Sequence, residues 1–208
     1  MRTLYIDTSS SYLYAGIVED EHLLCEVKQE FGHSLSEEAL PKIVDLFKEK
    51  HLEAKDIDKI IVINGPGSFT GIRIGITIAK VYAWSLNIPI TTITSLEAMM
   101  LSSKQKGIHV PMIDARRNYV FAAIYDENNK IILKPQHTKI ENLMNELNKL
   151  SNYKVITNDE IDEFPIVEKY DPDILKIVTY FKDKETINPH AVNPDYLKLT
   201  EAEESKLN

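Results

Sequence analysis

Short apolar runs separated by polar turns fill the first thirty residues of the chain. Residues 3–6 are apolar and β-prone, and the polar turn 7–11 follows them. Two further runs of the same kind, 12–18 and 23–27, are separated by the acidic turn 19–21. The pattern predicts three consecutive strands.

A helical period replaces this pattern after Ser34. Ser34 and Glu37 have the spacing of a capping box. The apolar positions that recur at helical period are Leu40, Ile43, Val44 and Phe47. Pro41 is tolerated only in a first turn, so we expect a helix that starts later than Ser34 or bends at Pro41.

The next segments alternate between strand and helix. Residues 59–64 form a short apolar run typical of a buried strand. The glycine-rich loop 65–71, a helix over 72–86 and a strand over 90–93 follow. Strands alternating with helices predict an α/β fold with a mixed sheet.

The pattern of the first residues begins again after the polar stretch 102–107. With an offset of 107 residues, Ile6 and Asp7 coincide with Ile113 and Asp114, and five of 20 positions are identical. Turns and strands match in order, and a helix-like stretch over 140–150 ends the second copy. An internal duplication therefore predicts two β-β-β-α units, although two amphipathic hairpins can also match by chance.

We accordingly predict a first domain over 1–103 and a smaller one over 104–208, with about the last 15 residues packing back on the first. Residues 151–164 match no pattern.

Composition narrows the class of protein. The chain has 208 residues, 43% of them hydrophobic, and a net charge of −8. Its one cysteine, Cys25, cannot form an internal disulfide, and we see neither a signal peptide nor a membrane span, so we expect a cytoplasmic protein. The negative charge argues against a protein that grips nucleic acid alone.

The glycine-rich loop 65–71 lies between a predicted strand and helix, where free amides can hold a phosphate. It lacks the Gly-Lys-Ser/Thr of a P-loop and the third glycine of a dinucleotide loop. The alternative is a structural turn with Ser68 or Thr70 as helix N-cap.

The helix after this loop carries a stripe of small residues at every fourth position. Its members are Gly71, Gly75, Ala79 and Ala83. Glycine costs about 1 kcal/mol relative to alanine inside a helix, so Gly75 needs a packing reason. A sheet, a neighbouring helix or a partner chain can supply it.

Two acidic turns correspond in the two halves, one at Asp7, Thr8 and Ser9 and the other at Asp114. Facing carboxylates can hold a magnesium–nucleotide, although an Asp that caps its own turn is commoner. The six histidines show no metal-ligand spacing, and no Ser-His-Asp or Cys-His arrangement can be recognised.

Several motifs together resemble the bacterial TsaB family. They are the turn 7–9, the segment 33–41, the string 65–75, the pair 79–80, the segment 95–97 and the turn 113–117. The resemblance is strong over residues 1–126 and weak afterwards, apart from residues 193–197.

This resemblance implies the actin/Hsp70/sugar-kinase fold, made of two ribonuclease H-like halves, the second reduced. It implies a cytoplasmic, non-catalytic assembly partner in making N6-threonylcarbamoyladenosine (t6A) in tRNA. The catalytic paralogue TsaD and the ATPase TsaE would be its partners, the chain would be a homodimer when alone, and tRNA would bind only through the complex. The histidine pair of the paralogue falls on Ser95 and Met99, so no metal is expected.

Two sets of site residues follow from the motifs and the resemblance. ATP or ADP, which the chain would not hold by itself, is expected at the partner interface, near Asp7, Thr8, Ser9, Gly65, Gly67, Ser68 and Asp114. The partner interface itself is expected at Leu40, Ile43, Phe47, Gly71, Gly75, Ala79 and Ala83.

Two other classes of function compete with this one. The first is an ATP-dependent kinase or a metallopeptidase of the same fold. The second is a stand-alone RNA-binding module, which the net charge and the lack of a basic stretch interleaved with aromatic residues oppose.

Overall fold

The structure is a computed structural model that describes residues 1–198. It divides into two compact units, Met1–Ala98 with Pro172–Asp195, and Met99–Asp171 with the described part of Tyr196–Asn208. The predicted boundary after residue 103 lies close to the division after Ala98, whereas Pro172–Asp195, predicted in the second domain, belongs to the first unit. The expected packing of about the last 15 residues concerns mainly residues 199–208, which lie outside the described residues.

The first unit contains a five-stranded sheet and helices. Its strands are β1 (Arg2–Asp7), β2 (Tyr12–Glu19), β3 (His22–Glu30), β4 (Lys59–Ile63) and β5 (Ile90–Ile93). Its helices are α1 (Leu35–Glu49), α2 (Phe69–Leu86), the start of α3 (Ser95–Ser102) and α5 (Ile174–Tyr180), with short 3-10 turns at Gly32–Ser34, Ala54–Asp56 and Pro189–Ala191.

The strand order in this sheet is β3-β2-β1-β4-β5. The β2 strand pairs antiparallel with both neighbours, whereas β1, β4 and β5 run parallel. All five residues of β4 are buried, which is why its sequence after Lys59 is a continuous apolar run. The three predicted N-terminal strands and the two later ones are confirmed.

The first helix, α1, begins where the pattern predicts but without the predicted capping box. The Ser34 hydroxyl donates to the Phe31 carbonyl instead of accepting from the helix, so the prediction of a capping box between Ser34 and Glu37 is wrong. Pro41 lies inside α1 on its exposed side, beyond the first turn, so the helix does not start as late as a first-turn proline requires. The core side of α1 is formed by Leu35, Ala39, Ile43, Leu46 and Phe47.

The second unit repeats the first in shorter form. Its elements are the end of α3, β6 (Ile108–Asp114), β7 (Tyr119–Tyr125), β8 (Ile131–Lys139), α4 (Ile140–Leu147) and β9 (Tyr153–Ile156). The order is β8-β7-β6-β9, with β9 parallel to β6. This is the order of the first sheet without its fifth strand, so the predicted duplication with a reduced second half is confirmed.

The core of the second unit lies between the sheet and α4. Ile140, Leu143 and Leu147 of α4 pack with Val120, Ala122 and Ile124 of β7. The unassigned segment 151–164 contains β9 and the core residue Phe164. Among the described residues, no helix is both long and apolar enough to cross a membrane.

Candidate functional site

The glycine-rich loop 65–71 connects the end of β4 to the start of α2. Gly65 and Gly67 adopt positive φ angles of 124° and 150°, which residues other than glycine rarely adopt. Ser68 is the N-cap of α2, and its hydroxyl accepts from the Gly71 amide at 3.2 Å. The interpretation of the loop as a capped turn is therefore confirmed, with Ser68 rather than Thr70 as the cap.

Each glycine of the string lies against another part of the same unit. A Cβ on Gly65 would collide with the Asp195 carbonyl, and a Cβ on Gly67 with the Ser9 carbonyl. A Cβ on Gly71 would collide with the Thr8 carbonyl, and a Cβ on Gly75 would collide with the Thr8 hydroxyl. The glycines thus permit close packing of the loop on the protein's own backbone.

The backbone amides of this region and the Asp7 carboxylate form hydrogen bonds within the same unit. The Ser68 amide donates to the Ser9 carbonyl at 2.7 Å. Asp7 is 1% exposed, and its Oδ1 accepts from the Ser9 amide at 2.8 Å and from the Ser9 hydroxyl at 2.7 Å. Asp7 therefore caps its own turn, which is the commoner of the two roles considered for it.

These contacts do not fit a phosphate site formed by this loop. Carbonyl oxygens fill the space beside the glycines, and the amides of Ser9, Ser68 and Gly71 already have acceptors. The side-chain oxygen of Asn64, buried just before the loop without a partner, calls for a donor rather than an anion. ATP or ADP at a partner interface stays a prediction.

Asp114 makes the same kind of turn in the second unit. Its Oδ1 accepts from the Arg116 amide at 2.8 Å, as Asp7 accepts from Ser9 two residues on. Its own amide donates to Asp159 at 2.7 Å. The correspondence between the two acidic turns is thus structural, since both carboxylates close a hairpin.

The positions of the paralogue's histidine pair lie near the start of α3. The Ser95 hydroxyl donates to the Pro66 carbonyl at 2.6 Å, and the Met99 side chain is buried. Neither side chain suits a catalytic metal, because a hydroxyl and a thioether are poor substitutes for imidazole. Within residues 1–198, no group of three or more His, Cys, Asp or Glu side chains could hold a metal ion.

Most of the predicted interface residues lie in the interior of the first unit. The buried ones are Ile43, Phe47, Gly71, Gly75, Ala79 and Ala83. Gly71 and Gly75 of the stripe pack against Thr8, just after β1, because only residues without a side chain let α2 approach so closely. These six residues are therefore not a free surface, and Leu40, which is 53% exposed, is the one predicted residue that is.

The opposite side of α2 carries the exposed apolar side chains. We call the set Phe69, Arg73, Val81 and Trp84 the outer face of α2. Phe69, Val81 and Trp84 are 55%, 60% and 63% exposed, and the Arg73 guanidinium lies 3.7 Å from the centre of the Phe69 ring. The sequence patterns did not single out these residues, although apolar residues on more than one side of a helix indicate that a second side becomes covered.

The neighbouring helix α1 also carries exposed apolar side chains. Leu40 and Val44 lie one turn apart on α1 and are both exposed. The two helices are in contact, with the rings of Phe47 and Tyr82 centred 6.1 Å apart. An apolar surface of this kind is typical of a protein–protein interface.

Solved structures of similar proteins agree with the predicted fold. A Pseudomonas aeruginosa protein described as uncharacterized with similarity to peptidase YeaZ superposes with a TM-score of 0.76 at 17% identity, covering 95% of this chain and 99% of that one. YeaZ from Pseudomonas aeruginosa gives 0.73 at 17% identity over 94% and 99% of the two chains. The predicted α/β fold is confirmed.

Sequence similarity identifies the family of the chain and then the branch of that family to which the chain belongs. Residues 29–181 match the family TsaD: tRNA N6-adenosine threonylcarbamoyltransferase. The tRNA threonylcarbamoyladenosine biosynthesis protein TsaB of Bacillus subtilis is 29% identical over 98% of this chain and 96% of its own length. The TsaB of Escherichia coli is 30% identical over 70% of this chain and 69% of its own length.

The chain therefore belongs to the TsaD family, and within it to the TsaB proteins. The resemblance drawn from the motifs is confirmed. A role in threonylcarbamoyladenosine biosynthesis follows from this membership.

Proposed function

We propose that the chain is the non-catalytic subunit of a cytoplasmic t6A-forming complex, and that it pairs with TsaD through the outer face of α2 and the adjacent part of α1. TsaE joins this pair, and tRNA binds to the assembly. In the absence of TsaD, the same surface pairs two copies of this chain.

The observation that carries the proposal is the exposed apolar surface on α1 and α2. On α2, three apolar side chains are more than half exposed, namely Phe69, Val81 and Trp84. Leu40 of α1 is also more than half exposed. Fully burying a large apolar side chain contributes about 1.5–3 kcal/mol, and these side chains still have roughly half of that area to bury against a partner. Trp and Arg, both present here, are the residues most often responsible for interface affinity.

The non-catalytic role is supported by the residues at the paralogue's metal positions. Ser95 is tied to the Pro66 carbonyl and Met99 is buried. A kinase or metallopeptidase of this fold would need a phosphate cradle or a metal pair. The contacts of the glycine-rich loop and of α3 favour neither.

Pairing with TsaD can be tested by placing a charge on the outer face of α2. We expect Trp84→Glu or Val81→Glu to weaken pairing at least about 30-fold, since a central interface tryptophan contributes about 2 kcal/mol or more. Ile166→Glu is the matched control, because Ile166 is 89% exposed on the second unit and not on this surface. Size-exclusion chromatography with light scattering would measure both the TsaD pair and the homodimer.

Activity supplies the second readout. With TsaD, TsaE, ATP and threonylcarbamoyl-adenylate, we expect the wild type and the Ile166→Glu variant to support tRNA modification, and Trp84→Glu to lose it. Modification of tRNA by this chain alone would contradict the non-catalytic role. Unchanged pairing of both Glu variants on α2 would contradict the assigned surface.

A further inference from the structure

The sheet of the second unit has one face covered by α4 and another that carries aromatic side chains. Val120 and Ala122 of β7 belong to the core with α4. Because side chains alternate along a strand, Tyr119 and Phe121 lie on the other face. Both are only partly buried.

A histidine from the neighbouring strand completes a row of rings on this face. His137 of β8 is paired with Phe121 across the two strands. The His137 ring stacks on Tyr119 with centroids 4.7 Å apart and an interplanar angle of 10°, and it lies 5.2 Å from the Phe121 ring. The row thus runs across two strands that are distant in sequence, which is why no interleaved motif is visible in the chain.

Positive charges surround the end of this row. Arg116 and Arg117 form the tip of the β6–β7 hairpin, where three consecutive residues have positive φ angles of 54–67°. Both arginines are exposed, and the Arg116 side chain is 89% exposed. Lys139 is paired with Tyr119 across the strands and is also exposed.

Two acidic side chains of the second unit accept hydrogen bonds from the backbone of the hairpin. Asp114 accepts from the Arg116 amide and lies 3.9 Å from the Arg116 Nε, and Asp159 accepts from the Asp114 amide. Glu141 belongs to α4, which packs on the other face of the sheet. Asp114 therefore offsets part of the Arg116 charge. Arg117 and Lys139 make no ion pair within the described residues, and they are available to a negatively charged ligand in a chain whose net charge is −8.

We infer that this region, the hairpin face, binds the unpaired nucleotides of an RNA loop. It is defined by Arg116, Arg117, Tyr119, Phe121, His137 and Lys139. Unstacked bases would add to the rings of Tyr119 and His137, and the phosphates would meet the arginines and Lys139. The inference rests on the proposed function, since the RNA would be the tRNA that the complex modifies.

The rings favour RNA over an acidic protein segment. A carboxylate-rich peptide needs cations alone, whereas a nucleotide offers a planar base and a phosphate a few ångströms apart. Stacked planar side chains next to guanidinium groups match both parts of a nucleotide. The hairpin also presents the arginines on a fixed backbone, which lowers the entropy cost of binding.

The test uses a fluorescently labelled anticodon stem–loop, with its blunt duplex stem as the reference RNA. Anisotropy titrations at several salt concentrations would be made with the full chain alone and with the TsaD complex. We expect Arg116→Gln/Arg117→Gln to weaken loop binding about tenfold and to reduce the slope of log K against log salt by about 1.4, from about 0.7 per cation on single strands. The duplex stem should bind weakly and equally to all variants.

Matched variants distinguish the loss of ring stacking from a loss of folding, and the loss of charge at the hairpin from the loss of charge elsewhere on the sheet. Tyr119→Leu should weaken loop binding about tenfold, whereas Tyr119→Phe, which keeps the ring, should bind like the wild type. Lys130→Gln/Lys154→Gln removes two cations at the opposite end of the same sheet and should leave binding unchanged. Melting temperatures would verify that each variant is folded.

Three outcomes overturn the inference. They are wild-type affinity in the double arginine variant, equal losses in the Lys130/Lys154 control, and tighter binding of a labelled polyglutamate peptide than of the RNA loop. Pairing with TsaD is measured separately on the same variants, and the hairpin substitutions should not change it. Failure of pairing with intact loop binding would count against the proposed function alone.

Discussion

Replacing Gly75 of α2 with alanine puts a methyl group where the Thr8 hydroxyl now lies. The new Cβ would come well inside 3.0 Å of the Thr8 Oγ1, a separation that real Cβ atoms essentially never show. That hydroxyl is buried and donates to the Gly71 carbonyl at 2.7 Å. The substitution therefore forces either α2 or Thr8 to move.

The expected magnitude combines opposing terms. Alanine gains about 1 kcal/mol over glycine in helix propensity. Overpacking costs about 1–3 kcal/mol, and displacing the Thr8 hydroxyl from the Gly71 carbonyl costs about 1 kcal/mol more. We expect the free energy of unfolding to fall by about 1–3 kcal/mol, since the costs exceed the gain.

A double-mutant cycle isolates the collision. In Thr8→Ala/Gly75→Ala the clashing oxygen is gone, so the double variant should be more stable than the sum of the single losses by about 0.5–2 kcal/mol. Gly71→Ala is the contrasting case, because its Cβ would meet the Thr8 backbone carbonyl, which Thr8→Ala leaves in place. Thr77→Ala, on the exposed side of α2, should change stability by no more than about 0.5 kcal/mol.

Urea unfolding followed by far-UV circular dichroism measures all of these variants. Equal or greater stability of Gly75→Ala than of the wild type would refute the packing argument. Equal relief of Gly71→Ala and Gly75→Ala by Thr8→Ala would show that the hydroxyl is not the obstacle.

Two other perturbations address buried groups. Burial raises the pKa of the Cys25 thiol, so Cys25 should react with iodoacetamide far more slowly in the native chain than in urea, and equal rates would contradict its burial. Lys59→Met should lower the free energy of unfolding by about 2–3 kcal/mol, because the Lys59 ammonium donates to the carbonyls of Phe181, Lys182 and Lys184. Burial lowers the pKa of Lys59 from its ordinary value of 10.5, so at pH values between the two the unfolded chain binds more protons than the folded chain. The stability advantage of the wild type over Lys59→Met should therefore grow as pH rises towards 10.5. A stability difference that does not change with pH would contradict the shift.

Local patterning was enough to predict most strands and helices. The run that became β4 is apolar after Lys59 because parallel strands are buried on both faces, and β5 has the predicted bounds. The repeated acidic turn predicted the duplication, because the same hairpin recurs at Asp7 and Asp114. The short strand β9 escaped prediction, since it has only four residues and is stabilised by pairing with a strand far away in sequence.

Sequence alone left open what each unusual feature serves. The string from Gly65 to Gly75 showed that something approaches the backbone closely, and a phosphate or a partner chain was as compatible with it as an internal contact. The structure identified the neighbours as the carbonyls of Thr8, Ser9 and Asp195 and the hydroxyl of Thr8.

The amino-acid sequence by itself determined the α/β class, the two related halves and the family of this protein, because these depend on periodicity and on contiguous motifs. The tertiary structure decided which side of α2 is buried and which side carries Phe69 and Trp84. It also brought Tyr119 and His137 together from two strands. Such features depend on contacts between distant parts of the chain, and a helix with apolar residues on every side does not reveal which of its sides faces the core.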